Sequence, residues 1–233
     1  MRVIALVLVM LLTSGCASMF DNMSLAAQSK IQQVLANRFA QRLSSGIDLV
    51  VRQLAIQGGF LDDPLVRILL PPPLGLVIDV ARDLTANPQA ALLETLMNRA
   101  AENAIPVAGP ILKNMVANMD AETLQKLVNS PRSAATELLM AEGGAAVQLA
   151  LLPAVTQNLH DNGAIKLYDD LLKASNKPDT NRDTAAESAG QAVSPDQLGE
   201  YVAQQAAGGL FKKVANRELA IRDSLNSIVE GPQ

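Results

Sequence analysis

Cysteine, histidine and tryptophan are almost missing from this chain: its 233 residues include one Cys, one His and no Trp. A single Cys excludes a disulfide framework and a cysteine zinc site, and a single His excludes a histidine metal cluster. No cofactor and no metal are therefore expected. Aromatic residues are scarce too, four Phe and two Tyr, whereas Ala and Leu number 35 each. Ala and Leu lead the helix scale, while strands favour β-branched and aromatic residues. Nor is there an excess of positive charge, since 19 Lys and Arg stand against 23 Asp and Glu for a net −4. Phosphate backbones call for clustered cations, so nucleic acid is not an expected partner. The length is sufficient for one sizeable apolar core.

Met1 and Arg2 give a short basic start, and residues 3–12 are an unbroken apolar run followed by Thr13-Ser14-Gly15-Cys16. Ten residues of helix cover only half of the roughly 20 a bilayer core requires, so the run reads as the apolar region of a secretory signal. With the only Cys directly behind it, the segment resembles the lipobox of bacterial lipoproteins. That resemblance implies a diacylglyceryl group on the Cys16 sulfur, cleavage before Cys16 and acylation of the freed amine. Ala17 stands where Asp would imply inner-membrane retention, so the implied address is the outer membrane, facing the periplasm. Two or more acyl chains give stable anchoring. The expected organisation is a signal peptide over 1–15, a lipidated lead over 16–24, and a single helical domain over 25–229 with a flexible polar loop at 174–194.

Helical periodicity starts with Ala27, Ile31, Val34, Leu35, Phe39 and Leu43 as one stripe, with a stop expected near Ser44-Ser45-Gly46. A second stripe, from Ile47 to Ala55, ends at the cap signal Gly58-Gly59. Regularity fails over 60–76, where Asp62-Asp63-Pro64 opens a turn and Pro71-Pro72-Pro73 removes three donors. A helix is expected over 74–84. Asn87-Pro88 then caps and starts a helix with Leu92, Leu93, Leu96, Met97, Ala100 and Ala104 inward. Ile105-Pro106 breaks it, Asp120 caps a later piece, and Ser130-Pro131 opens another that should stop at Gly143-Gly144. The apolar stretch 145–155 reads as a central buried helix. The polar tract 174–194 cannot offset its ordering entropy, and Ser194-Pro195-Asp196-Gln197 has capping-box spacing before a long C-terminal helix. Gly208-Gly209 inside that helix points to close packing or a slight kink. Strand alternation is never sustained. The expected fold is all-α, an irregular array of about eight or nine short helices around one aliphatic core.

Three blocks in order carry a further resemblance: Gly58-Gly59-Phe60 through Pro64, Val66-Arg67 and Leu70-Pro71; Met97-Asn98-Arg99-Ala100-Ala101-Glu102 through Pro110 and Asn118-Met119; and Gly209-Leu210-Phe211 through Glu218 to Ile221-Arg222. Over residues 43–225 the chain resembles the bacterial secreted family called domain of unknown function four-one-nine-seven. This likeness implies an envelope location and a helical domain, and brings no activity with it.

Catalytic patterns are thin. His160, the only histidine, precedes Asp161-Asn162-Gly163 at a helix end, where it favours the helix dipole, and no G-x-S-x-G elbow is present. Asp169 and Asp170 diverge by about 100° on a helix and read as a solvated face. Asp62 and Asp63 lie in the irregular segment with Arg67 near enough to pair with either. Glu94, Asn98 and Glu102 recur every four residues with Arg99 beside them, forming a polar row opposite much of the apolar stripe. The row is the leading candidate for a contact surface. Candidate binding residues are thus Asp62, Asp63, Arg67, Glu94, Asn98, Arg99 and Glu102, with Cys16 as the lipid attachment. The expected function is a lipid-anchored, non-enzymatic binding module for an envelope protein or an apolar ligand. The alternative is a carboxylate- and arginine-dependent hydrolase or lyase centred near Asp62 and Arg67.

Overall fold

In the computed structural model the described residues are 25–74, 87–175 and 192–230. The signal peptide, Cys16, the lead, all but the first residue of the helix expected over 74–84 and all but the ends of the 174–194 loop lie outside them. Among the described residues the chain is all-α: α1 (Leu25–Ala55), α2 (Pro88–Ala104), a 3-10 turn (Ile105–Val107), α3 (Ala108–Ala117), α4 (Ala121–Val128), α5 (Ala134–Asp161), α6 (Ala164–Ser175), a second 3-10 turn (Pro195–Gln197) and the long C-terminal α7 (Leu198–Glu230).

Among the described residues seven α-helices stand, and they are longer and fewer than the eight or nine short ones expected for the chain because glycines read as stops lie inside helices. Gly46 sits mid-way along α1, where a Cβ would come 2.9 Å from Arg217 Cγ and 3.1 Å from Ile221 Cδ1 of α7. Gly143 sits inside α5, where a Cβ would collide with the Met115 sulfur. Both cost helix propensity, about 1 kcal/mol each, and both allow a neighbouring helix to approach closely. A true stop follows α1, where Gly58 has φ +84°, a conformation that costs a β-carbon-bearing residue dearly.

Three expected caps are in place, whereas the helix expected to open at Ser130-Pro131 begins only at Ala134, after Ser133 with φ +66°. Asn87 Oδ1 accepts from the Ala90 N–H at 3.1 Å, Asp120 Oδ1 accepts from the Thr123 N–H at 2.7 Å, and Gln197 Oε1 accepts from the Ser194 N–H at 3.1 Å. Helix α7 runs antiparallel to α1 and to α5: Arg42 Nη1 donates to Ser224 Oγ at 2.6 Å, and Gly144 and Gly199 of α5 and α7 face Phe211 and Thr156 respectively. One core joins every helix, with Phe39, Phe60, Met97, Leu112, Leu139 and Tyr168 among its largest fully buried side chains. Burial pushes the Tyr168 phenol up to about 12, and its hydroxyl donates to the Val193 carbonyl at 2.7 Å.

Three burial expectations need correction. Ile31 and Val34 are 48% and 52% exposed, because the first turns of α1 run past the end of the bundle. Leu92 is also exposed. Within 145–155 only Val147, Leu151 and Val155 are buried, at four-residue spacing, so α5 packs one narrow stripe and exposes the side holding Ala145 and Leu149. By length and composition alone α5 could cross a bilayer; here that stripe packs into the core.

Candidate functional site

The polar row of α2 faces inward. Glu94, Asn98 and Glu102 are 3%, 0% and 2% exposed, so the row expected to be a contact surface faces the protein's own interior instead. Its neighbour is the irregular segment 58–70. Val66, Ile68 and Leu70 are buried while Leu65, Arg67 and Leu69 are exposed, the two-residue alternation of an extended chain. Among the described residues no strand pairs with it, and its buried backbone groups still need partners.

Side chains of α2 supply them. The Asn98 carboxamide accepts from the Ile68 N–H at 2.9 Å and donates to the Ile68 carbonyl at 2.8 Å, as a neighbouring strand would. It also donates to the Glu94 carbonyl one turn back. Glu102 Oε1 accepts from the N–H groups of Phe60 and Leu61 at 3.1 and 3.3 Å, and Arg99 pairs with its other oxygen at 3.2 Å. Arg67 pairs with Glu94 at 2.9 Å, so the expected pairing of Arg67 with Asp62 or Asp63 is replaced by one across to α2. From α7, the Tyr201 hydroxyl donates to the Leu69 carbonyl at 3.1 Å. Gly209 packs so closely that a Cβ would lie 3.1 Å from Phe60 Cε1 and 3.2 Å from Val66 Cβ.

The acids of the turn go elsewhere. Asp63 Oδ1 accepts from the Leu65 N–H at 3.0 Å, and its other oxygen binds Lys213 of α7 at 2.7 Å. That hydrogen bond, more than any other cause, lowers the Asp63 carboxyl below its ordinary range. Asp62 folds back over Gly58 and, with Arg67, Glu94 and Thr95, lines an open groove of about 480 Å³. The Thr95 hydroxyl in this groove donates to the Ala91 carbonyl at 2.9 Å, which ties it to the helix rather than to a base. Asp169 and Asp170 pair with Lys173 and Lys166 on the solvated face expected for them. His160 is exposed in the last turn of α5, at the helix end where the sequence places it.

A second buried polar cluster was not among the candidates. Glu218 and Arg222, four residues apart on α7, are 0% and 9% exposed. Glu218 accepts from the N–H groups of Ala135 and Thr136 at 3.1 and 2.8 Å and from the Thr136 hydroxyl at 2.6 Å. These N–H groups belong to the first turn of α5, whose N-cap residue Ser133 supplies no side-chain cap. Arg222 binds Glu218 at 2.6 and 2.9 Å, donates to the carbonyls of Leu127, Val128 and Ser130 at the end of α4, and lies 4.8 Å over the Phe39 ring. One ion pair thus caps two helix ends in trans, with each charge on the favourable dipole end. The signal in the sequence was phase: Glu218 and Arg222 fall in register with Val214, Ile221 and Leu225, where a helix otherwise places only apolar side chains.

All three sequence blocks therefore meet inside the fold. Residues 29–230 match the family model described as Protein of unknown function (DUF4197). The chain belongs to that family. No curated protein and no solved structure matches it. In this DUF4197 chain the most recognisable residues serve the backbone: Asn98 and Glu102 hold the 58–70 segment, Gly209 seats Phe60, and Glu218 with Arg222 joins α4 to α5. Among the described residues no group of three His, Cys, Asp or Glu side chains could hold a metal ion. Cys16, the expected lipid attachment, lies outside the described residues.

Proposed function

We propose that this protein is a lipid-anchored envelope lipoprotein, held to the outer membrane through Cys16 and facing the periplasm, that acts by binding a protein partner. One observation carries the binding role. Residues 143–160 of α5 contain no Asp, Glu, Lys or Arg, yet Ala141, Ala145 and Leu149 are exposed along one side, Leu149 by 71%. Half-buried Leu138 and Leu152 extend that line in both directions. Spacings of three and four residues make a seam of the kind that receives the apolar face of another helix, uncharged from residue 143 onward and bordered by exposed Glu142. Contiguous apolar surface rimmed by polar residues marks an interaction site.

A partner fits better than an apolar small molecule. Grooves among the described residues are open and carry polar walls, as Arg42, Arg217 and Ser224 do between α1 and α7, whereas apolar ligands favour enclosed apolar pockets. The hydrolase or lyase reading draws no support from the 480 Å³ groove, where Arg67 is engaged by Glu94 and Thr95 by a helix carbonyl.

A photo-crosslinking residue at position 149 in intact cells should capture one discrete protein, and the same probe at His160 should not. With the probe kept at 149, Ala145→Asp on the same exposed side should abolish capture without moving the urea midpoint. Equal capture at both positions would dismiss the seam as the binding surface. The anchor is tested separately, by labelled palmitate that Cys16→Ser no longer incorporates.

A further inference from the structure

The first three turns of α1 leave the bundle. Every residue from 28 to 34 is exposed, and burial resumes at Ala36 and Phe39. The apolar side chains on this overhang do not continue the core stripe below. At 100° per residue, Ala27, Ile31 and Val34 centre roughly 150° away from the direction of Phe39, Leu43, Ile47 and Leu54. The bundle's own core therefore gives no reason for Ile31 and Val34 to be apolar. Charge on this stretch is of one sign. From residue 22 to residue 47 the chain has Lys30, Arg38 and Arg42 and not one acid, in a protein of net charge −4. Lys30 and Arg38 are exposed and flank Ile31 and Val34 on the same side, whereas Arg42 is hydrogen-bonded to Ser224.

We propose that this outward face of α1 rests on the anionic surface of the bilayer that holds the lipid anchor, with Ile31 and Val34 in the interfacial region and Lys30 and Arg38 on lipid phosphates. The inference rests on the Cys16 anchor for its geometry. Leu25 follows Cys16 by nine residues, which reach at most about 30 Å when extended, so the overhang cannot leave the neighbourhood of the membrane. Ile31 lies only about 9 Å farther along the helix. A bilayer is favoured over a second copy, because an isologous pairing would set Lys30 and Arg38 of one copy against the same cations of the other. Basic residues flanking an apolar face are the pattern of a helix lying in a membrane interface.

The test uses the full-length chain matured and lipidated in cells, purified and reconstituted into vesicles of phosphatidylethanolamine and phosphatidylglycerol. An environment-sensitive fluorophore is placed through Ile31→Cys, Val34→Cys or Leu149→Cys, and quenching by spin-labelled lipid is read. Labels at 31 and 34 should be quenched severalfold more than the label at 149. Combining Lys30→Gln with Arg38→Gln should shift the docked equilibrium by about 25-fold, fivefold per cation, and should have no effect in phosphatidylcholine vesicles. Equal quenching at 31, 34 and 149 in protein whose mass shows lipid on Cys16 would overturn the proposal. So would a disulfide between two copies of the unlabelled Ile31→Cys protein in the same vesicles, with no quenching of the labelled protein. Protein lacking lipid on Cys16 would instead refute the anchor, and quenching at 31 when that protein is added to the same vesicles would still support the contact.

Discussion

Two buried polar clusters hold this molecule, and they solve different problems. The Glu94–Asn98–Glu102 row of α2 serves a chain segment with no secondary structure, giving Phe60, Leu61 and Ile68 the partners a sheet would have given. The Glu218–Arg222 pair of α7 serves secondary structure itself, filling the open ends of α5 and α4. One is centred on a neutral carboxamide, the other on a fully buried ion pair. Desolvating a carboxylate and a guanidinium costs several kcal/mol unless every lone pair and proton is used, and here each charge meets backbone dipoles of the right sign. The difference implies that failure of the first cluster should be local and failure of the second global.

That contrast can be broken at its stronger end first. Arg222→Ala leaves the Glu218 carboxylate buried beside two N–H groups and frees three α4 carbonyls, so it should cost about 3–5 kcal/mol and lower the urea midpoint of the whole domain. A loss under 1 kcal/mol would mean that water replaces the guanidinium and that the pair is ornamental. Asn98→Ala should cost less, about 2–3 kcal/mol, for one N–H and one C=O of Ile68 left without partners. Its distinguishing mark is locality. Hydrogen exchange should speed up at Phe60, Leu61 and Ile68 while amides in α5 and α7 stay protected. Uniform acceleration would show that the 58–70 segment unfolds only with the rest and would erase the distinction.

How much of this was legible in the sequence depends on what each residue's partner was. Caps are read within four residues, so Asn87, Asp120 and Ser194 could be placed from the chain alone. The all-α class followed from composition and periodicity, and the recognisable blocks were correct as blocks. What could not be read was direction. The row at 94, 98 and 102 was visible as a row, yet whether it faced water or the protein depended on a segment 30 to 40 residues away that lacks its own hydrogen-bond partners. Glycine carried the same ambiguity, since Gly46 and Gly143 pack against other helices while Gly58 ends one. Arg67 had two acids within five residues and binds a third on another element. Proximity in sequence loses to the extended backbone, which turns alternate side chains to opposite faces. Glu218 and Arg222 carried a signal that could have been used: charges in phase with an apolar stripe are expensive unless a buried partner awaits them.

The smallest effect should come from the exposed counterpart of these clusters, the pair of Asp63 with Lys213. Both side chains are about a quarter exposed, at 27% and 26%, so solvent screens the pair and its worth is about 0.5–1 kcal/mol. Its sign with pH follows from the depressed carboxyl. Asp63 titrates below its ordinary 3.8, chiefly because Lys213 donates to it and secondly because the Leu65 N–H does. A carboxyl whose folded value is lowered contributes stability that is fully present above the unfolded value and is lost as pH falls through the folded one. Asp63→Asn keeps an oxygen to accept from Leu65 and removes only the charge, so it isolates the Lys213 pair. Urea midpoints should show the variant weaker than the parent at pH 7, with the gap closing as pH drops below about 4. A gap that persists in acid would assign the loss to turn geometry instead of charge. It would also place Asp63 with Asn98 of α2, an uncharged side chain that serves the backbone by geometry alone.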